Sequence, residues 1–185
     1  MDERDLAERC LAGDQSAIRA FVEQFQGLVF AVCLRQLRQR EDAEDVAQQT
    51  LVRAVKHLRH WDPQRPLKPW VLAIAVNRCR THVSRRMLQT RTFNEVFDAP
   101  AADNRFGRLD LAEELQLALN KLRDDYRTCF ILFHQQELSI TEVAEIMDCP
   151  AGTIKTWLHR ARRELAELLT ERGVVTKDGY ELFRT

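Results

Sequence analysis

The side chains in this sequence that could do chemistry are mostly basic, and they fall in two clusters. Residues 61–87 hold six cations and one acid, and residues 151–163 hold four cations and no acid. Although the formal net charge of the chain is zero, both clusters are locally basic. They therefore indicate where a polyanion such as nucleic acid would bind. The acidic run from Glu41 to Asp45 has the opposite sign and indicates a different partner for that face.

The first cluster begins with the stretch WDPQRPLKPW, residues 61–70, which holds three prolines and two tryptophans. Proline lacks an N–H group and its ring clashes with the preceding turn, so the stretch interrupts an otherwise helical pattern. One interpretation is a plain connector between two helices. The alternative is a shaped loop, because aromatic and basic side chains together provide stacking and phosphate neutralisation for single-stranded nucleic acid. The residues alone leave both interpretations open.

The second cluster follows the pattern of a helix-turn-helix. Ser139 and Glu142 have the spacing of a capping box, so a helix is predicted from about Ile140 to Met147. Pro150 suits the first position of the next helix, where the missing N–H costs no hydrogen bond. A capped helix, a tight turn and a second helix with a basic outer face are typical of DNA-binding proteins.

The last helix is predicted to turn one face to the core and the other to DNA. At about 100° per residue, its apolar side chains Ile154, Leu158, Ala161 and Leu165 share the inner face, with Trp157 and Leu168 beside them. The donors for phosphates and base edges then lie outside; they are Lys155, Thr156, His159, Arg162 and Arg163. Gly152 and Thr153 at the helix N-terminus are small enough to let a phosphate approach.

Catalytic and metal-binding chemistry find little support in the sequence. Its five cysteines form no CxxC pair, which favours reduced cytosolic thiols over a disulfide framework. Cys79 and His82 have the spacing of a metal pair, but a zinc site needs four ligands and two are missing. No third group is placed to orient a cysteine nucleophile. The sequence therefore predicts a protein that is not an enzyme and that needs no metal or cofactor.

The predicted fold is all-α. Few of the 185 residues are Gly or Pro, and apolar residues recur at helical spacing after a capping Asp14. A helix that Pro69 opens, from Trp70 to about Met87, is apolar nearly all round in its first half. Further helices are predicted over residues 111–122 and 126–135. No apolar run approaches the roughly 18 residues of a membrane span, and the acidic N-terminus excludes a signal peptide, so a cytoplasmic protein without membrane insertion is expected.

Four stretches of the chain resemble a known family. GDQSAIRAFVEQF, REDAEDVAQQTLVRAVKHL and WVLAIAVNRCRTHVSRR resemble the σ2 domain of the extracytoplasmic-function sigma factors of bacterial RNA polymerase, and LRDDYRTCFILFHQQELSITEVAEIMDCPAGTIKTWLHRARREL resembles their σ4 domain. The order and separation of the stretches, over about residues 13–170, make the resemblance specific. It implies two small helical domains joined by a flexible linker: a σ2-like domain at 1–88, a linker at 89–112, a σ4-like domain at 113–171 and a tail at 172–185.

The resemblance also implies roles for three groups of residues. The segment that docks on the clamp helices of the polymerase β′ subunit corresponds to Asp42, Asp45, Val46, Gln49, Thr50 and Arg53. The parts that capture a flipped base and melt the −10 element correspond to Trp61, Asp62, Gln64, Arg65, Lys68, Asn77, Arg78, Arg80 and Arg85. The helix that reads the −35 element corresponds to Gly152, Thr153, Lys155, Thr156, His159, Arg160 and Arg163.

The implied function is that of a sigma factor, which binds core polymerase and directs it to promoters. The implied partners are the β′ clamp helices, the β flap and promoter DNA, and an anti-sigma factor is common in the family. Within the loop, Trp70 is expected to anchor the core, while Trp61 is expected to help form the base pocket. The alternative is an autonomous helix-turn-helix regulator, whose N-terminal half should resemble a ligand-binding or phosphoacceptor domain. The acidic helix and the proline–tryptophan loop favour the sigma factor instead.

Overall fold

The computed structural model describes residues 2–93 and 111–175. All regular secondary structure in these two ranges is helical, which confirms the predicted all-α fold. The chain divides into two compact units, residues 1–92 and 93–185. The first unit contains four helices among its described residues: α1 (Glu3–Leu11), α2 (Gln15–Leu37), α3 (Arg40–His57) and α4 (Leu67–Phe93), with a short 3-10 turn at Leu58–His60.

The first turn of α2 is fixed by Asp14, as the sequence predicts. Asp14 Oδ1 accepts hydrogen bonds from the backbone N–H groups of Ser16 at 2.8 Å and Ala17 at 3.3 Å. Its other oxygen pairs with Arg9 at 2.8 Å and so joins α1 to α2. Hydrogen bonds from Ser16 and Arg9 hold the pKa of Asp14 well below its usual range. At its other end α2 stops at Arg38, whose φ of 64° is left-handed.

The core of the first unit is built around α2. Phe21 and Val29 are fully buried, and the rings of Phe21 and Phe25 pack 4.9 Å apart. Burying each of these large side chains contributes roughly 1.5–3 kcal/mol. From α3 the core receives small side chains, with Ala43 and Ala54 both 0% exposed, which lets α3 approach α2 closely. The first half of α4 closes the core with Val71, Leu72, Ala75 and Val76.

Among the described helices, α2 alone is long and apolar enough to cross a membrane by length and composition. It is not an uninterrupted apolar run, because Arg19 and Glu23 lie within it. Seven residues of α2 are buried within the unit, where they pack against α1, α3 and α4. A core helix in a globular unit passes the same test as a membrane span, so length and composition here are weak evidence for insertion.

Helix α4 begins earlier than predicted because another helix caps it. The backbone N–H of Leu67 donates to Glu3 Oε2 of α1 at 2.9 Å, and the helix dipole favours a carboxylate at this end. Pro69, predicted to open the helix, lies inside its first turn instead, where a missing N–H costs no intrahelical bond. The N-terminal helix α1 thus holds the end of the proline-rich loop.

The second unit contains α5 (Leu111–Lys121), α6 (Asp124–Phe130), α7 (Ile140–Met147) and α8 (Ala151–Glu171), and α6 continues into a π-helical turn at Ile131–Gln135. The sequence predicts one helix from Tyr126 to Gln135. The chain instead begins α6 two residues earlier, where Asp124 and Asp125 complement the helix dipole. It then widens, so that the N–H of Gln136 reaches the carbonyl of Ile131 at 3.0 Å.

The helix-turn-helix forms through the predicted local signals. Ser139 Oγ accepts from the Glu142 N–H at 3.2 Å, and Glu142 Oε2 accepts from the Ser139 N–H at 2.7 Å, which completes the capping box. Asp148, with φ 53°, ends α7 in the left-handed conformation. Pro150 is the N-cap of α8 rather than its first residue. The inner face of α8 is confirmed by four buried residues, Ile154, Leu158, Ala161 and Leu165.

Helices extend into the predicted linker from both sides. The sequence predicts the linker at residues 89–112, but α4 continues to Phe93 and α5 begins at Leu111. Helix α8 ends at Glu171, directly before the predicted tail. Residues 94–110 lie outside the described part of the chain, as do residues 176–185 of the predicted tail. Arg172, the first residue of that tail, forms an ion pair with Glu114 of α5. This ion pair lowers the pKa of Glu114.

The cap that α1 provides to α4 gives a stability prediction. Glu3→Ala should lower the free energy of unfolding by about 0.5–2 kcal/mol, because the N-terminus of α4 loses its side-chain acceptor. Glu8→Ala is the matched control, since Glu8 lies on the same helix and makes only an exposed pair with Arg4, which contributes at most about 1 kcal/mol. Urea titration of the full chain measures both variants. Equal unfolding midpoints for the two would show that Glu3 is not a cap.

Candidate nucleic-acid interface

The outer face of α8 carries the predicted DNA-binding side chains. Lys155, Thr156, His159 and Arg163 are exposed, while Arg162 is half-buried against its own helix. Arg163 makes only a loose pair with Glu167, at 3.7 Å. The second helix of a helix-turn-helix lies in the major groove with its N-terminal residues near base edges. The exposed side chains of α8 occupy its first three turns, where that geometry needs them.

Arg160 is held by a residue that the sequence analysis did not select. Its NH1 donates to the hydroxyl of Tyr126 at 3.1 Å. Tyr126 is buried at 5% exposure, between the indole of Trp157 at 6.4 Å and the guanidinium of Arg123 at 5.2 Å from the ring centre. The exposed Arg160 therefore extends from a fixed point on α6, which reduces the rotamer entropy it would lose on binding a phosphate.

The start of α8 is open to an approaching phosphate. Gly152 is exposed, and a side-chain carbon added there would meet nothing within 4 Å. Thr153 is half-buried, and Thr156 donates its hydroxyl to the Gly152 carbonyl at 3.0 Å. The backbone N–H groups of Thr153 and Ile154 already donate to the Pro150 carbonyl. The space at this end of α8 is therefore open, but these two donors are already in use.

Both tryptophans of the proline-rich loop contact the core, Trp61 within it and Trp70 packed against it. Trp61, expected at the base pocket, is buried at 7% exposure in the core, and Trp70, expected as the anchor, is half-buried. The reason is that Trp61 directly follows the 3-10 turn and packs with Leu58 and Leu67 into the α1–α2 core. Its indole N–H finds no acceptor among the described residues. A tryptophan buried in this way shapes the loop rather than stacking on a base.

Residues 62–66 of the loop are exposed, and two local hydrogen bonds hold them in a turn. Asp62 Oδ1 accepts from the Gln64 N–H at 2.9 Å, and the Asp62 carbonyl accepts from the Arg65 N–H at 3.0 Å. These two bonds close a turn that fixes the loop conformation. Gln64 and Arg65 are exposed, and Lys68 in the first turn of α4 is half-buried. Asp62 thus has a clear structural role in addition to the predicted one.

The polar residues predicted on helix α4 have different surroundings. Asn77, Arg80 and Arg85 are exposed. Arg78 is half-buried and bonds to Gln49 of α3. Of the residues predicted on this helix, the first three are therefore placed where they could reach DNA, and Arg78 is directed toward α3.

Some of the residues predicted to dock on polymerase are exposed, and others are buried. Asp45, Gln49 and Arg53 are exposed on α3. Val46 is 2% exposed and Thr50 is 0% exposed, with the Thr50 hydroxyl bonded to the Val46 carbonyl at 2.7 Å. Val46 and Thr50 therefore cannot touch a partner directly, because both lie on the face of α3 that packs on the core. Asp42 is half-buried and has partners on α4.

A basic cleft of about 380 Å³ lies between the exposed side of α3 and Arg78 of α4. It is lined by Gln48, Gln49, Val52, Arg53, Lys56, His57 and Arg78. Burial, together with the charge of Arg53, lowers the pKa of His57, so its imidazole is neutral at pH 7. Val52 is 49% exposed at the edge of the cleft. The cleft thus presents an apolar side chain beside three permanent cations.

Catalytic chemistry finds no support in the described residues. No group of three or more metal-ligating side chains occurs in the described ranges. Cys10, Cys33, Cys79 and Cys129 are buried free thiols, and Cys149 is half-buried. Burial raises the pKa of Cys129 to about 12, which makes its thiolate scarce at neutral pH.

Comparison with known proteins agrees with this geometry. The family model for Sigma-70 region 2 matches residues 21–88, and the model for Sigma-70, region 4 matches residues 112–165. The chain is 29% identical over 172 residues to the ECF RNA polymerase sigma factor SigW of Bacillus subtilis, with 86% of this chain and 92% of SigW covered. It is 31% identical to the ECF sigma factor BldN of Streptomyces coelicolor, with 90% and 66% covered.

The chain belongs to the extracytoplasmic-function sigma factors of bacterial RNA polymerase. It therefore directs promoter-specific transcription initiation, and the autonomous regulator is not favoured. Two solved structures share the fold of this sigma factor. RpoE of Bartonella quintana, in complex with the anti-sigma factor NepR, has a TM-score of 0.73 at 28% identity and covers 82% of this chain and 96% of its own. CnrH, in complex with the cytosolic domain of CnrY, has a TM-score of 0.67 at 27% identity and covers 92% and 99%.

The burial of Trp61 gives a prediction for this sigma factor. Trp61→Ala should lower the free energy of unfolding by roughly 3–5 kcal/mol, because a large side chain leaves a cavity in the core. Gln64→Ala, three residues along the same loop, should change it by no more than about 0.5 kcal/mol. Chemical denaturation followed by circular dichroism measures both. An unchanged unfolding midpoint for Trp61→Ala, with promoter binding lost, would make Trp61 a direct DNA contact instead.

Proposed function

We propose that the two units of this sigma factor divide promoter recognition, the first binding and melting the −10 element and the second reading the −35 element. The observation that carries the proposal is the placement of exposed cations and polar side chains on α4 and α8, whose opposite faces are buried. A rigid helix with one buried face presents its outer side chains with little loss of entropy on binding.

The proposal assigns the −35 element to α8. Its exposed donors Lys155, Thr156, His159, Arg160 and Arg163 can reach phosphates and base edges once the helix lies in the major groove. Gly152 and Thr153 sit at the end where a phosphate would approach. This element stays double-stranded, which suits recognition by a groove-binding helix.

The −10 element is assigned to the loop at residues 62–66 and the outer face of α4. Strand separation without a chemical energy source must be driven by binding, so the exposed bases need a prepared surface. The turn closed by Asp62 provides a fixed loop in which Gln64 and Arg65 are exposed. Asn77, Arg80 and Arg85 then follow the strand along α4. Lys68 adds a cation at the junction.

Core polymerase is assigned to the exposed face of α3. Asp45, Gln49 and Arg53 recur at intervals of four residues, so they form one stripe on the helix. In this assignment the stripe binds the β′ clamp helices, while Val46 and Thr50 support it from the core. The second unit would meet the β flap.

Further partners and location follow from the relatives. RpoE and CnrH each form a complex with a protein partner, and NepR is named as an anti-sigma factor. An anti-sigma factor is the corresponding partner proposed here. A protein that works with polymerase and promoter DNA is expected in the cytoplasm and is not expected to catalyse a reaction itself.

Removing two cations from α8 tests the −35 assignment. Lys155→Ala with Arg160→Ala should weaken holoenzyme binding to a duplex −35 probe by about tenfold or more and reduce the salt slope by about two. Lys121→Ala, an exposed cation on α5, is the control and should leave affinity within about twofold. Fluorescence anisotropy over a range of salt concentrations measures both. An unchanged affinity for the double variant at fixed salt would exclude the assignment.

Reversing one charge on α3 tests the polymerase assignment. Asp45→Arg should weaken binding to a β′ clamp-helix fragment by about tenfold, because a favourable charge becomes a repulsive one. Glu23→Arg makes the same change at an exposed site on α2 and should bind the fragment like the unmodified chain. Isothermal titration calorimetry gives the affinities. Equal affinities for Asp45→Arg and Glu23→Arg would rule out this face of α3.

A further inference from the structure

Three residues of α4 make polar contacts with α3 and its N-cap, and we call this row of contacts the polar seam. Arg78, His82 and Arg86 recur every four residues on α4 and are all half-buried. Their partners on α3 are Gln49 for Arg78, Asp42 for His82, and both Asp42 and Gln39 for Arg86. The partners appear in reverse chain order, so the two helices run antiparallel along the seam.

Asp42 is the carboxylate that His82 and Arg86 share in this seam. Its Oδ2 lies 2.8 Å from Arg86 NH1 and 3.4 Å from His82 Nε2. The Asp42 side chain is 25% exposed, and those of Arg86 and His82 are 33% and 32% exposed. At this burial a charge-assisted hydrogen bond is stronger than a surface ion pair. Removing Asp42 would take this ion pair from Arg86, while its hydrogen bond to the neutral side chain of Gln39 would remain.

We infer that Asp42 is a positioning residue for promoter melting: it holds the basic C-terminal half of α4 against α3 through Arg86 and His82. This inference rests on the proposed promoter-binding role of α4. It also separates Asp42 from Asp45, its neighbour one turn along α3, which stays exposed to a partner. In this account Asp42 acts within the chain, and Asp45 is available to polymerase.

The consequence for DNA binding follows from helix geometry. Arg85 is exposed and directly precedes Arg86 in the chain, so fixing Arg86 to α3 fixes the rotation of α4 at that point. Arg80 lies between the seam contacts of Arg78 and His82 and is oriented in the same way. The contacts of Asp42 therefore set the direction of the cations that face the DNA strand.

The test measures two affinities on the same variants of the full chain. Asp42→Asn keeps the shape of the side chain and removes its charge. It should weaken binding of the holoenzyme to a forked −10 probe by about tenfold, and leave affinity for core polymerase within about twofold. A purely structural role would instead lower the folded fraction and weaken both affinities together. Circular dichroism at the assay temperature gives the folded fraction.

Two variants make the coupling measurable even if Asp42→Asn folds poorly. Arg86→Gln removes the other partner and should reproduce the selective loss of forked-probe binding. The double variant Asp42→Asn with Arg86→Gln should lose much less than the sum of the two single losses, because both substitutions remove the same Asp42–Arg86 ion pair. Additive losses in the double variant would overturn the inference.

Controls separate a failure of this inference from a failure of the proposed function. Glu44→Gln removes an exposed charge that pairs with Arg40 at 2.7 Å and should change neither affinity. Arg80→Ala with Arg85→Ala removes the outward cations and should weaken the forked probe. If this double variant binds the forked probe normally, α4 does not bind the promoter and both proposals are wrong. If the double variant binds weakly but Asp42→Asn binds normally, only the role of Asp42 is wrong. The same holds if Asp42→Asn weakens binding to core polymerase instead.

Discussion

Burial of α2 is the interaction on which the first unit depends. Phe21, Val29 and Cys33 of α2 are fully buried, and α1, α3 and α4 all pack on this helix. A sigma factor must hold separated strands by binding alone, so its contact surfaces have to be formed before DNA arrives. The core supplies that order, because it fixes the inner faces of α3 and α4 and leaves their outer faces exposed, where polymerase and DNA are proposed to bind.

Acidic and basic side chains are separated onto different helix faces of this protein. The chain has no formal net charge, yet the outer faces of α4 and α8 are basic and the start of α3 is acidic. The seam between α3 and α4 uses one carboxylate, Asp42, and so keeps part of the basic charge of α4 inside the unit. In the second unit Tyr126 plays a comparable part for Arg160. In both units a buried or half-buried acceptor fixes the position of an arginine side chain.

Local signals could be predicted from the sequence, and contacts distant in the chain could not. The Asp14 cap, the capping box at Ser139 and the buried face of α8 depend on residues within a few positions of each other. Trp61 lies in the loop before α4, where no helical periodicity applies, so the sequence could not assign it to the core. The cap from Glu3 to Leu67 joins residues 64 positions apart. The ion pair of Asp42 with Arg86 spans 44 positions, and only the fold brings these groups together.

The central claim is that two units on one chain read two elements of the same promoter. The most direct test maps the 5′ ends of transcripts made from a genomic library by core polymerase with this protein. The predicted result is a set of start sites preceded by two shared sequence elements at a constant separation. Start sites that share a single element, or no starts beyond those of core polymerase alone, would contradict the claim.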